Sequence, residues 1–281
     1  MQERGCVRMF FDVLMLFFMI SALQPVVTQG MLKMSRQRLI SKIEEKNKSR
    51  VITLIHRQET MSILGFPVMR YIDINDSEKI IRAIQMTDPN MPIDMILHTP
   101  GGVALAALQI ARALKLHKGK VRVFIPHYAM SGGTLIALAA DEIVMGDNAM
   151  LGPVDPQLGQ YPAPSIVNVL KQKPMASISD ETLILADISQ KAISQLKNGI
   201  LDLLPDRYSF DEKKNIAEIL TQGIWTHDFP INVDVARGLG LNVSTDVPPE
   251  IYQLMNLFPQ PVQATPSVEH GVIDRRTHRR F

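Results

Sequence analysis

Two loops carry residue types suited to acyl chemistry. The first is His98-Thr-Pro-Gly-Gly102, which follows the apolar run Ile93-Asp-Met-Ile-Leu97. Paired glycines at a strand-to-helix turn let the backbone approach a ligand closely, with N–H groups exposed where the helix begins. The second is Pro126-His-Tyr-Ala-Met-Ser131-Gly-Gly-Thr134, after the run Val121-Arg-Val-Phe-Ile125. A serine at that place sets its hydroxyl at a helix N-terminus, where positive potential stabilises an oxyanion. Each loop also has a plainer reading. The glycines make a tight turn, and the serine suits an N-cap. Among other polar residues, His227 with Asp228 is a candidate base. His98 and His127 read as structural, His56 has no partner in sequence, and Asp141 and Asp155 read as cap and turn residues.

The elements needed to position these loops are legible as periodic patterns. Val51–Ile55, Met69–Ile74, Ile93–Leu97, Val121–Ile125 and Ile143–Met145 read as short strands. Helical patterns separate them: Asn75 to about Met86 with a cap at Asn75, residues 104–117, and an apolar Thr134–Ala140. Strands alternating with helices predict an α/β fold with mainly parallel strands. In such folds sites form at the C-terminal strand ends, where both glycine loops fall. After Pro153 the pattern becomes helical, with Asp180–Leu204 and Asp211–Gln222 the clearest segments.

Length and composition bound the class. The chain has 281 residues, 46% apolar and 21% charged, with a net charge of +2. A wholly disordered chain would be less apolar and more charged. A nucleic-acid partner is not expected, since phosphate binding needs a concentrated positive field. The single cysteine, Cys6, excludes an intramolecular disulfide and a thiolate-rich metal site. No cofactor or metal is expected.

Residues 1–12 read as a tail. Residues 13–32 contain no charge and as a helix would span about 30 Å, the thickness of a bilayer core. One N-terminal transmembrane helix contacting membrane lipid is the first reading, and a cleaved signal peptide is its rival. Residues 33–50 form a basic juxtamembrane linker, and this charge puts the folded body in the cytoplasm. Residues 51–258 form the folded domain. Residues 259–281, rich in proline and arginine, read as a disordered basic tail.

The two loops, together with Arg70–Ile74, Leu151-Gly-Pro-Val-Asp-Pro-Gln-Leu-Gly159 and Thr226-His-Asp-Phe-Pro230, resemble the serine dehydrogenase proteinase family. That family sits in the Clp-protease/crotonase superfamily and is similar to signal peptide peptidase A. The resemblance spans roughly residues 10–258. It implies a Clp/crotonase-like fold with C-terminal helices, serine peptidase activity on polypeptides and a homo-oligomer. Carried over by position, Ser131 matches the nucleophile, and Gly102 and Gly132 match the oxyanion-hole donors. The base departs from the Clp pattern. Position 156, about where Clp proteases keep a histidine, is Pro156, and no histidine lies between Ser131 and His227. Related membrane proteases use a Ser-Lys dyad, and Lys171 and Lys173 lie 40 and 42 residues after Ser131. Lys173 is the favoured base, with Lys171 and His227 behind it. The expected activity is a membrane-anchored serine endopeptidase cleaving membrane-associated or unfolded polypeptides. The rivals are a crotonase-like enzyme acting on a CoA thioester and an inactive membrane scaffold.

Overall fold

Short runs of Ile, Val, Leu and Met set up a five-stranded sheet in the order β1-β2-β3-β5-β9, and every pairing in it is parallel. The strands are β1 (Arg50–Ile55), β2 (Ile93–His98), β3 (Val121–Ile125), β5 (Glu142–Met145) and β9 (Val243–Ser244). These features come from a computed structural model that describes Met15, residues 27–57 and residues 70–258. β2 is buried at all six positions, as expected for a parallel strand covered on both faces.

Side chains alternate between the two faces. Ile52, Leu54, Met95, Leu97, Val123 and Ile125 point to one core. That core is closed by α2 (Ile74–Gln85), α3 (Ala104–Lys115), α4 (Gly132–Leu138), α6 (Asp180–Leu203), α7 (Phe210–Thr221) and α8 (Val233–Gly238). Val51, Ile96, Phe124 and Val144 point to the other. Helix α1, described over residues 27–47, covers it through Ile43, and α9 (Pro249–Asn256) through Ile251, Leu254 and Met255. The stretch 33–50 is thus no loose linker. It is helical to residue 47, and its end is fastened by Asn47 Nδ2 and Ser49 Oγ, both 2.7 Å from Asp94 Oδ2 on β2.

A second strip crosses the C-terminal ends of the main strands. β4 (Tyr128–Ala129) pairs in parallel with β6 (Met150–Leu151). Single bridges extend it from Thr99 to Ala129 and from Leu151 to Ile231. A short hairpin, β7 (Gln157–Leu158) with β8 (Tyr161–Pro162), leads into α5 (Ala163–Gln172).

Three expectations change. Of the run 69–74, the described residues 70–74 contribute one bridge, Ile72 to Gly102, because Asp73 turns the chain into α2. The cap of α2 is Asp73, not Asn75: its carboxylate accepts from the Asp76 N–H at 2.9 Å, and Asp76 accepts from the Asp73 N–H at 3.2 Å. The segment after Pro162 holds a further helix, α5, opened by Pro164 in its first turn. Among the described residues no helix is long and apolar enough to cross a membrane. Most of the expected span 13–32, together with the tails 1–12 and 259–281, lies outside the described residues.

Candidate active site

Ser131 sits between β4 and α4 with φ 50° and ψ −112°, a positive φ rare for a residue with a side chain. It occupies the N-cap position of α4 but its side chain makes no capping hydrogen bond, so the hydroxyl stays available. Two neighbours hold this strained turn. The Leu135 N–H donates to Ser131 O at 3.2 Å, and the Gly133 N–H donates to Met130 O at 2.7 Å. Gly101, at φ 108°, lies against the turn: a Cβ there would come within 2.9 Å of Ser131 Cβ. Only glycine leaves room for the serine at that approach.

The two loops meet at their glycines. The Thr99 N–H donates to Tyr128 O at 3.2 Å and the Met130 N–H donates to Thr99 O at 3.0 Å. A Cβ on Gly132 would lie 3.5 Å from the Gly102 nitrogen. The two glycines thus pack against each other, and neither N–H has an acceptor among the described residues. Gly102 is pressed against the 70–73 segment. The Ile72 N–H donates to Gly101 O and the Val103 N–H to Ile72 O, both at 2.8 Å.

These groups open into a cavity of about 580 Å³. Ser131, Gly102 and Gly132 line it, as do Asp155, Gln157 and His227. His227 Nδ1 is 2.8 Å from Asp155 Oδ1, and the Asp155 carboxylate is 1% exposed. The Gln157 amide donates to the other carboxylate oxygen at 2.7 Å. The Gln157 amide nitrogen also lies 3.1 Å from Nδ1. A carboxylate only accepts, so a proton shared with Asp155 sits on Nδ1 and, in the neutral ring, Nε2 keeps its lone pair. The partner of His227 is thus Asp155, 72 residues away, and not its neighbour Asp228.

Local structure fixes both members of this pair. Thr134 of α4 donates its hydroxyl to Gly152 O at 2.8 Å and accepts the Gly152 N–H at 3.1 Å, which ties the Asp155 segment to the serine helix. The Val154 N–H adds a bond of 3.0 Å to Leu220 O. The His227 turn is pinned by two 2.9 Å bonds between Ile231 and Leu151, and by Trp225 stacked on Phe229 at 4.7 Å.

The lysines lie elsewhere. Lys171 lies in the last turn of α5, which ends at Gln172, and Lys173 follows as its C-cap. Both are exposed, and neither lines the cavity that holds Ser131. Sequence reasoning set Asp155 aside as a turn residue. Its one local signal is a carboxylate inside the apolar Gly-Pro-Val-Asp-Pro stretch, and nothing in that stretch points to position 227.

A model of the ClpP-like SDH-type serine proteinases matches residues 3–278. The chain belongs to this family. It is a serine peptidase by that membership. Two proteins of Methanocaldococcus jannaschii, both named as uncharacterized, are similar over most of their length. MJ0137 is 53% identical over 256 residues, 91% of this chain and 89% of its own. MJ1495 is 53% identical over 257 residues, 90% and 88%. Among solved structures, the 1510-N membrane-bound stomatin-specific protease matches with TM-score 0.44 and 21% identity over 66% of this chain and 79% of its own. ClpP1 from Listeria monocytogenes matches with TM-score 0.44 and 14% identity over 73% and 96%.

Among the described residues no group of His, Cys, Asp or Glu is placed to hold a metal ion. Behind the active-site loops lies a histidine cluster. His98 is 2% exposed, and its Nδ1 has no hydrogen-bond partner among the described residues, contrary to the satisfied histidine expected. Burial, with Arg57, His127 and His56 nearby, pushes its pKa down to about 3. Burial and Arg57 lower that of His127 as well.

Proposed function

We propose that the chain cleaves polypeptides with Ser131 as nucleophile, His227 as base and Asp155 as its orienting carboxylate. One observation carries this reading: a single cavity is lined by Ser131, by two unpaired backbone N–H groups and by a histidine on a buried carboxylate. Ser131 Oγ attacks the scissile carbonyl carbon as His227 Nε2 takes the hydroxyl proton. The oxyanion accepts the N–H groups of Gly102 and Gly132. His227 then returns the proton to the leaving amine, which departs and leaves an acyl ester on Ser131. Water, deprotonated by the same nitrogen, hydrolyses that ester. Asp155 keeps the productive tautomer and stabilises the imidazolium. Lys173 has no part in this scheme, which replaces the Ser-Lys dyad.

The cavity wall suggests what is cleaved. Leu108, Leu135, Val154, Ala192 and Leu196 also line the cavity and give it an apolar wall. That wall favours an apolar side chain next to the scissile bond. A segment of 20 uncharged residues, 13–32, flanked by basic residues, supports a membrane anchor with the peptidase on the cytoplasmic side. An anchor would concentrate the enzyme on membrane-protein substrates. We further propose that it works as a homo-oligomer.

Fluorophosphonate labelling tests the scheme on full-length protein in membranes. Wild type and Lys173→Ala should label, while Ser131→Ala should not and His227→Ala should label at least about a hundredfold more slowly. Loss of labelling in Lys173→Ala, with His227→Ala unaffected, would return the base to lysine. Pelleting with membranes, abolished by deleting residues 1–32, tests the anchor.

A further inference from the structure

The oxyanion donor at Gly102 belongs to the peptide joining Gly101 to Gly102. Its aim is set by where the Gly101 carbonyl points. That carbonyl accepts the Ile72 N–H at 2.8 Å, and Thr99 Oγ1 lies 3.4 Å from it. The same Thr99 Oγ1 accepts the Gly101 N–H at 3.2 Å. Thr99 is fully buried, so these are not contacts with solvent. Behind it stands His56, 6% exposed, with Nδ1 3.0 Å from Thr99 Oγ1 and Nε2 3.1 Å from Asp76 Oδ2.

We propose that Asp76, His56 and Thr99 form a relay that fixes the Pro100–Gly101 peptide, next to the one that carries the Gly102 N–H, making His56 and Thr99 positioning residues for the oxyanion site. The inference rests on the reading of Gly102 as an oxyanion donor.

The proton inventory supports it. Burial alone would raise the Asp76 pKa, but the hydrogen bonds from His56 and the Asp73 N–H, with nearby positive charge, hold it below the ordinary value. Asp76 is therefore a carboxylate that only accepts, and His56 Nε2 carries a proton toward it. In the neutral ring Nδ1 is then bare and accepts the Thr99 hydroxyl proton. That leaves a lone pair on Thr99 Oγ1 for the Gly101 N–H. Each donor in the chain has one acceptor, and all bonds run in one direction. Take away the hydroxyl and the Gly101 N–H is left buried and unpaired, and the Pro100–Gly101 peptide can turn and shift the Gly102 donor that follows it. The relay also ties α2, which carries Asp76, to the catalytic loop across β1 and β2.

The relay lies outside the cavity. Neither His56 nor Thr99 lines it, so neither touches substrate. Loss of the relay should therefore lower kcat and leave KM nearly unchanged, because a misaimed donor weakens the transition state more than the ground state.

The test uses the full chain and a fluorogenic peptide with an apolar residue before the scissile bond. Thr99→Val, which keeps shape and removes the hydroxyl, should lower kcat by about tenfold or more with KM within about twofold. Thr99→Ser should restore kcat to within about threefold. His56→Ala should lose as much as Thr99→Val, and the double variant no more than either, because the groups act as one unit. Should Thr99→Val not fold, His56→Asn carries the comparison. Its amide oxygen replaces Nδ1 as acceptor and should retain several-fold more kcat than His56→Ala. Wild-type kcat in His56→Ala, or losses that multiply in the double variant, would overturn the relay.

A second readout separates this inference from the parent reading. In a Ser131→Ala background, with isotope-labelled glycine, the Gly102 amide resonance should shift on Thr99→Val and return with Thr99→Ser. An unmoved resonance overturns the relay whichever base serves Ser131.

Discussion

At the scale of single residues, catalytic geometry depends on what is missing as much as on what is present. A Cβ at Gly102 would fall 2.4 Å from both the nitrogen and the oxygen of Ile72. Both are backbone atoms and cannot turn aside. Gly102→Ala should therefore displace the donor and lower kcat by about two to three orders of magnitude, as the loss of one oxyanion donor does. Steady-state kinetics on a peptide substrate would show it, and near-wild-type kcat would dismiss Gly102 as a donor. His98 makes a prediction of a different kind. Its ordinary pKa is near 6.5 and the fold holds it at about 3. Between those values the unfolded chain binds a proton that the folded chain refuses, so stability falls as pH falls through that window. The urea midpoint should drop between about pH 6.5 and pH 3. His98→Phe should flatten that slope. An unchanged slope would assign the acid sensitivity to other groups.

At the scale of elements, one buried carboxylate fastens three of them. Asp94 on β2 is 1% exposed and takes Arg122 Nε at 2.7 Å and its Nη2 at 2.8 Å from β3, besides Asn47 and Ser49 at the end of α1. Removing it strands the buried donors. Asp94→Ala should cost about 3–5 kcal/mol in chemical denaturation. Lys120→Ala, which breaks the exposed pair with Glu142, should cost about 1 kcal/mol or less. Equal losses in the two variants would refute a special role for Asp94. The elements were unequally legible. β1, β2, β3 and β5 announced themselves because strands covered on both faces are written in apolar residues. β9 did not, since two residues carry no period. The 69–74 run looked like a strand because Tyr71, Ile72 and Ile74 are strand formers, and the side chain of Asp73 outweighed that preference.

At the scale of the whole molecule, the sheet is a slab that needs cover on both sides. One side is closed by the helices between and after the strands. The other depends on α1 and α9, from opposite ends of the described chain. A chain lacking residues 1–26 should keep its melting temperature, because α1 remains. One lacking residues 1–47 loses Ile43 from the cluster it shares with Val51 and Ile251 and should melt at least several degrees lower. Equal melting by circular dichroism would mean that α1 adds nothing to the core. The sequence by itself determined the alternating strand-and-helix plan, the two glycine loops at strand ends and Ser131 as the residue to test. Those are local signals, carried by periodicity and by residue types whose backbone preferences act within a few positions. Only the tertiary structure paired His227 with Asp155, joined His56 to Thr99 and Asp76, and left Lys173 exposed at the end of α5. Such pairings are set by which loops the sheet order brings to one edge. Residues 72 apart carry no mark of that meeting until the chain has folded.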